Sequence, residues 1–253
     1  MAEWKNLRKI EATVTTFIIL ALLWQLSSNF MPYYLVPPLD RIFNEIMIAL
    51  TRQYPHLIST LYRVLIGLVV AFSVGFILGI LMGIFRRVES RVIPLVHFIN
   101  GIPALSWILI IIIWLAETEA RIITILMMIN LPIFVYNTLD GVKGIPREPY
   151  TMVYSFRPTR RQLFMKLILP SVIPNVLTAW KAAIGLSVRV VLIAELVGAT
   201  TGIGYMMFVN QSTFNMGGII AWTLVLVGIA LMLEYVIGRA ESRFLGWRLA
   251  PTG

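Results

Sequence analysis

Cysteine is absent from this 253-residue chain, and only 13% of its residues are charged. The first absence excludes disulfides and thiolate metal sites. The second, beside 58% hydrophobic residues and a mean hydropathy of +0.84, excludes a soluble globular protein. Histidine is nearly missing: His56 and His97 stand far apart, and no H-E-x-x-H or pair of aspartates falls in an apolar run. A hydrolytic metal centre therefore has nothing to hold it, and both histidines are expected to be packing or interface residues. A serine nucleophile finds no base within reach in the apolar runs. No G-x-x-x-x-G-K-[ST] occurs, so the chain has no P-loop with which to bind ATP by itself. An A-x-A-like cleavage site is missing after the first apolar run, where Ser27-Ser28-Asn29-Phe30-Met31-Pro32 follows. That run is expected to be a retained anchor helix rather than a removed leader.

What is there is a set of apolar runs of membrane-crossing length, for which about 20 residues are needed at 1.5 Å rise each. They cover residues 13–30, 59–85, 92–115, 122–139, 172–197 and 218–238. The expectation is an all-α polytopic membrane protein of about six transmembrane helices, with the whole chain, 1–253, forming one membrane domain. An even number of spans puts both termini on one side.

The basic residues say which side. Lys5, Arg8 and Lys9 precede the first run; Arg86, Arg87 and Arg91 follow the second; Lys143, Arg147, Arg157, Arg160, Arg161 and Lys166 crowd residues 140–171; and Arg239, Arg243 and Arg248 close the chain. The alternate loops hold only Arg41, Arg52 and Arg121. Basic loop residues resist translocation, so both termini and the central loop are expected to be cytoplasmic. The same distribution accounts for the net charge of +9 without nucleic acid, which would call for a basic face interleaved with exposed aromatics or a recognisable module.

Along the chain, residues 39–53 are too polar to span and are expected along the outer interface. Gly67, Gly75, Gly79 and Gly83 lie on the second span at spacings that allow close helix approach, and packing within the chain is the expected use. The third span carries Pro94 and then Asn100-Gly101-Ile102-Pro103-Ala104-Leu105-Ser106, and the fourth carries Asn130-Leu131-Pro132. Freed backbone groups at membrane depth are tolerated only where protein or a water-filled cavity satisfies them. These spans either line a path or are kinked for packing. Asn100, Ser106, Asn130, Ser187 and Arg189 are the candidate pathway residues, as polar groups within apolar spans.

In the long central loop, room exists for two short helices broken at Arg157-Pro158. Residues 159–169 place Leu163, Phe164, Leu167 and Ile168 on one face, with Arg160, Arg161 and Lys166 around them, and so predict a short amphipathic helix. By pattern alone such a helix either docks a soluble partner or lies on anionic lipid.

Leu163-Phe164, Leu169-Pro170 and Pro174 resemble the second half of the cytoplasmic coupling loop, the EAA loop, of ABC importer permeases. The wider chain is similar to the nitrate, sulfonate and taurine branch, through Val36-Pro37-Pro38, residues 60–67 (TLYRVLIG), Ile102-Pro103-Ala104 and residues 194–205 (AELVGATTGIGY). These stretches occur in order and cover most of the chain from residue 36 onward. Counting back from Pro170, the family's glutamate falls on Thr151, its alanines on Met152 and Val153, and its glycine on Arg157. Only the apolar and proline half of the motif survives, and Pro158 is expected to supply the turn.

The resemblance implies a type I importer permease acting as a dimer, with a homodimer expected. It implies one cytoplasmic ATPase under each subunit, which uses ATP and Mg while this chain binds no cofactor. An extracytoplasmic binding protein delivers the solute, expected to be a small anion such as nitrate, bicarbonate, a sulfonate or taurine, or a related small organic solute. The coupling residues are then Thr151, Arg157, Pro158, Arg160, Arg161, Leu163, Phe164, Leu169 and Pro170. Glu195, Gly198, Gly202 and Gly204 form an outer gate or loop, in which Glu195 caps or tethers the glycine-rich exit. Of the charges within spans, Lys181 is near enough to one end to snorkel. Arg189 lies near the middle, where an arginine costs about 2.5–3.5 kcal/mol unless paired or hydrated. It either faces an anion path or pairs with an acid; Glu195, six residues on, is poorly placed within one helix, and Glu234 is the other candidate. The competing class is an ion-coupled secondary transporter, which would carry more membrane carboxylates and an inverted repeat; neither is visible.

Overall fold

The computed structural model of the protein describes residues 2–244, and Arg248 of the basic flank lies outside the described residues. Among the described residues there are helices and connections and no strand. α1 (Ala2–Ser28) leads through a short turn to α2 (Leu39–Thr51), and the two are tied by hydrogen bonds: Trp24 Nε1 donates to Pro37 O (2.9 Å) and Leu39 N to Gln25 Oε1 (3.0 Å). α3 (Tyr54–Ile84) begins with Pro55 in its first turn, where a missing N–H costs nothing. α4 (Arg86–Gly101) and α5 (Ala104–Trp114) follow, then α6 (Thr118–Lys143). Glu117 caps α6 by accepting the N–H groups of Ala120 and Glu119, which hold its exposed carboxyl below the usual carboxylate range.

α7 (Arg147–Ser155) and the single-turn α8 (Arg160–Leu163) form the central loop. α9 (Leu169–Gly198), α10 (Ile203–Ser212) and α11 (Met216–Phe244) complete the chain. The stretch Arg160–Gly198 is one uninterrupted helical span, which corrects the expectation of a separate amphipathic helix over residues 159–169. Pro170 does not end it. The preceding turn, Phe164–Ile168, widens to π geometry, with Leu169 N–H bonded to Phe164 O, and absorbs the proline that has no N–H to give.

α3, α6, Arg160–Gly198 and α11 are long and apolar enough to cross a membrane, while Val14–Ser28 of α1 is shorter. The predicted third span, residues 92–115, is broken at its proline: it is two helices, α4 and α5, bent by 96° at Ile102-Pro103. Pro103 cannot donate to Ile99 O, and that carbonyl accepts instead from Ile102 N (3.3 Å) and Trp107 Nε1 (3.3 Å). The break is therefore satisfied inside the protein.

α3 and α6 run parallel and in register. A Cβ added at Gly67, Gly75, Gly79 or Gly83 would lie 2.7, 2.6, 2.6 and 2.6 Å from the Cβ of Leu126, Phe134, Thr138 and Val142 respectively. The glycines thus let two backbones approach within the chain. α9 runs antiparallel to α6, bringing Val172 against Gly141 at one end and Ser187 against Asn130 at mid-length. The main core, which includes Leu68, Ala71, Phe134, Ala183 and Trp222, sits where α3, α6, α9 and α11 meet.

Candidate functional site

Three groups of residues stand out, one at each end of the bundle and one at mid-depth. At the basic end, Met152 of α7 and Phe156 in the turn just after it are 66% and 78% exposed. Arg157 then takes a positive φ of 47°, so the left-handed turn falls on the residue in the glycine position, and not on Pro158. α8 is closed by a capping box in which Thr159 Oγ1 accepts from Gln162 N (3.3 Å) and Gln162 Oε1 accepts from Thr159 N (2.8 Å). Arg160, Arg161, Thr151 and Pro170 are exposed; Pro158 and Leu169 are half-buried. Leu163 and Phe164, also half-buried, turn back to line a cavity with Gly83, Phe85 and Val142.

At mid-depth, Asn130 is halfway along α6, fully buried, and donates to Leu126 O (2.7 Å) and to the buried Ser187 Oγ (2.9 Å). Both lie inside the helix packing, closed off from any open face. Arg189 is two residues further along α9, so about 3 Å nearer its C-terminal end, and its side chain is exposed. Among the described residues no acid lies within 4.0 Å of it to form an ion pair. Asn100 is exposed on α4, and Ser106 is half-buried in the first turn of α5, beyond the 96° bend.

At the opposite end, Arg63 of α3 is fully buried with all five N–H donors engaged. Nε (2.9 Å) and one Nη2 proton (2.5 Å) fork onto the Glu119 carboxylate, Nη1 reaches Glu195 Oε1 (2.7 Å) and Thr201 O (2.7 Å), and Nη2 reaches Thr201 Oγ1 (2.8 Å). The buried Glu195 Oε2 also accepts Gly204 N–H (2.9 Å), Thr60 Oγ1 accepts Ile203 N–H (2.8 Å), and His56 Nδ1 accepts Gly202 N–H (3.2 Å). Three consecutive N–H groups at the start of α10, which a helix leaves unpaired, are thus met by side chains from α3 and α9, with a carboxylate at the positive end of the dipole. Gly202 has φ 115°, and a Cβ there would collide with the Glu195 carboxyl, so glycine is required twice over. Gly198 O accepts from Arg121 Nη1 (2.8 Å), which also binds Leu115 O through Nε and Ala116 O through Nη2 and clamps the α5–α6 turn to the end of α9.

A spanning helical bundle with a long basic loop and a side-chain-tethered glycine loop is matched by the family model for the binding-protein-dependent transport system inner membrane component, over residues 71–245. The chain belongs to this family. It is a multi-pass inner-membrane permease. It is similar to the formylaminopyrimidine transport permease protein ThiX of Halalkalibacterium halodurans, 28% identical over 92% of this chain and 94% of that one. It is also similar to the taurine transport system permease protein TauC of Escherichia coli, 25% identical over 97% of this chain and 92% of that one. Among solved structures, the MetNI methionine ABC transporter in inward-facing conformations shares the fold, with a TM-score of 0.57 at 16% identity, covering 76% of this chain and 93% of that one.

Within the permease, sequence reasoning missed Arg63, Glu119 and Thr60. Arg63 was visible as a charge in an apolar run and as part of the resembling stretch 60–67, without a role. The signal was its place: an arginine three residues after Thr60 in a span needs a buried partner, and Glu195 and Glu234 were the acids in other spans.

Proposed function

We propose that this permease is the pore-forming subunit of an ATP-driven, binding-protein-dependent ABC importer that works as a homodimer. Its basic end is cytoplasmic and receives two ATPase subunits, which use ATP and Mg; the chain itself holds no cofactor. The binding protein docks at the opposite end, above the loop that Glu195, Gly198, Gly202 and Gly204 organise as an outer gate. Solute passes between the two subunits along faces bearing Arg189, Asn100 and Ser106, while Asn130 and Ser187 stiffen the wall behind them. A small anion or sulfonate-bearing solute suits the cationic Arg189, and the names of similar permeases, taurine among them, support a small solute.

The observation that carries the reading is the exposed apolar pair Met152 and Phe156 on a basic loop at one end of a membrane bundle. Two large apolar side chains projecting past the basic flank call for a hydrophobic partner, because exposed patches of this kind mark interaction sites. Thr151, Arg157, Arg160 and Arg161 surround them as the polar rim, and Leu163, Phe164, Leu169 and Pro170 hold the loop to the spans.

The test is to tag the chain, extract the transporter gently from its native membrane and identify what co-purifies. A stoichiometric nucleotide-binding ATPase is expected from the unmodified chain and is expected to be lost on Met152→Asp/Phe156→Asp, with extraction yield unchanged. Retention of the ATPase by that variant removes the docking reading. Absence of any ATPase from crosslinked unmodified protein turns the loop into a lipid-surface element.

A further inference from the structure

The exposed side of α9 is unlike a lipid-facing stripe. Asn175, Thr178, Ala182, Gly185 and Arg189 follow one another at helical spacing, small or polar throughout, and all are exposed or half-exposed. α11 packs beside them, running the other way. Near the basic end the two helices are joined by an ion pair between Lys181 Nζ and Glu241 Oε2. From Lys181, eight residues along α9 lead to Arg189; from Glu241, seven residues back along α11 lead to Glu234. The steps rise about 12 and 10.5 Å at 1.5 Å per residue, roughly 2.2 and 1.9 turns. Arg189 and Glu234 therefore lie at matching height along the two helices.

A second distance supports this placement. A Cβ built on Gly185 would lie 3.8 Å from Glu234 Oε1 and would meet no other atom within 4 Å. Gly185 is one turn before Arg189, and helical side chains lean toward the N-terminus, so the space over Gly185 is within reach of the Arg189 side chain, although the two charges are more than 4.0 Å apart. Glycine at 185 leaves the space between them open. Both charges are exposed, and Asn130 pairing with Ser187 puts Arg189 near mid-depth. Neither charge is tolerable against lipid.

We propose that Glu234 is the exchangeable counter-charge of Arg189. When no solute is present the carboxylate offsets the guanidinium charge from across the seam, at a separation beyond ion-pair contact. An anionic solute replaces it, so that the pair, and not Arg189 alone, sets the charge that the path presents. The proposal rests on the reading that Arg189 faces the solute path.

The chain has no cysteine of its own, so a single introduced one reports alone. Gly185→Cys places a thiol between the two charges, at a position with room for it. In native membranes holding the complete transporter, its reaction rates with anionic methanethiosulfonate ethylsulfonate and cationic methanethiosulfonate ethyltrimethylammonium are compared. Adding Glu234→Gln is expected to raise the anionic-to-cationic ratio by roughly five- to tenfold, adding Arg189→Gln to lower it by as much, and the double change to restore it. The conservative changes Arg189→Lys and Glu234→Asp are expected to leave the ratio near its starting value and show that the seam still folds. If Gly185→Cys reacts with neither reagent, the face is dry and the pathway reading fails together with the proposal. If it reacts but only one of the two neutralisations moves the ratio, or neither does, the pathway reading stands and the pair is overturned.

Discussion

Arg63 shows how one residue organises an end of the bundle. Its guanidinium has no unused N–H, and its partners are 56, 132 and 138 residues away in sequence, on α6, α9 and the loop to α10. Removing it leaves the buried Glu195 without its counter-charge. Breaking a buried pair from one side costs about 3–5 kcal/mol, and removing both charges costs less than the sum of the two single changes. Arg63→Met is therefore expected to lower the thermal unfolding midpoint in detergent by roughly 10 °C, and Arg63→Met/Glu195→Gln to recover part of it, since glutamine still accepts Gly204 N–H. An Arg63→Met chain that melts with the parent would show that the network does not hold this end together. Legibility at this scale was uneven for a physical reason. Glu195 announced its tether because it precedes the glycines of its own loop, whereas Arg63 depends wholly on distant chain, and no local spacing encodes that.

Between elements, the governing contact is α3 on α6. Small residues at positions 67, 71, 75, 79 and 83 recur every four, and the stripe meets Leu126, Phe134, Thr138 and Val142 with side-chain Cβ atoms where its own would be. Without a hydrophobic drive between helices in lipid, this close backbone approach is a principal source of cohesion. A Cβ at Gly75 would sit 2.6 Å from Phe134 Cβ and 3.2 Å from Leu131 O, whereas one at Gly228 meets nothing within 4 Å. Gly75→Ala is expected to destabilise by about 1–3 kcal/mol through overpacking, and Gly228→Ala to be neutral or to stabilise by up to about 1 kcal/mol through helix propensity. Unfolding midpoints of the two variants in the same detergent test this; equal shifts would mean that the α3–α6 contact is not the tight one. The glycine spacing was readable because a helix face repeats locally. The 96° bend and the continuity of Arg160–Gly198 were not, because both turn on how a proline's neighbours are satisfied: Trp107 reaching Ile99 O in one, and a π turn before Pro170 in the other.

For the whole molecule, the all-helical spanning architecture and the basic flank were legible from composition and charge placement, since a bilayer admits few alternatives. Partner faces were not, because exposure on an isolated chain means different things at different depths. Sidedness joins the two. Helix directions place Arg86, Lys143, Arg160, Arg239 and Arg243 at one end of the bundle and Arg52 and Arg121 at the other. Lys and Arg are retained on the cytoplasmic side, so the end with α7 is expected inside the cell and the end with α10 outside. Ser155 and Ser212 are exposed at these two ends, and the absence of cysteine again makes single replacements clean reporters. Ser155→Cys is expected to react with a membrane-impermeant maleimide only in inverted vesicles, and Ser212→Cys only in right-side-out ones. The reverse pattern would put the exposed Met152 and Phe156 outside the cell, where no ATPase can reach them, and with that the importer reading would fall. Labelling of both from one side would mean instead that Arg160–Gly198 does not cross the membrane, because it is the one span between the two reporters.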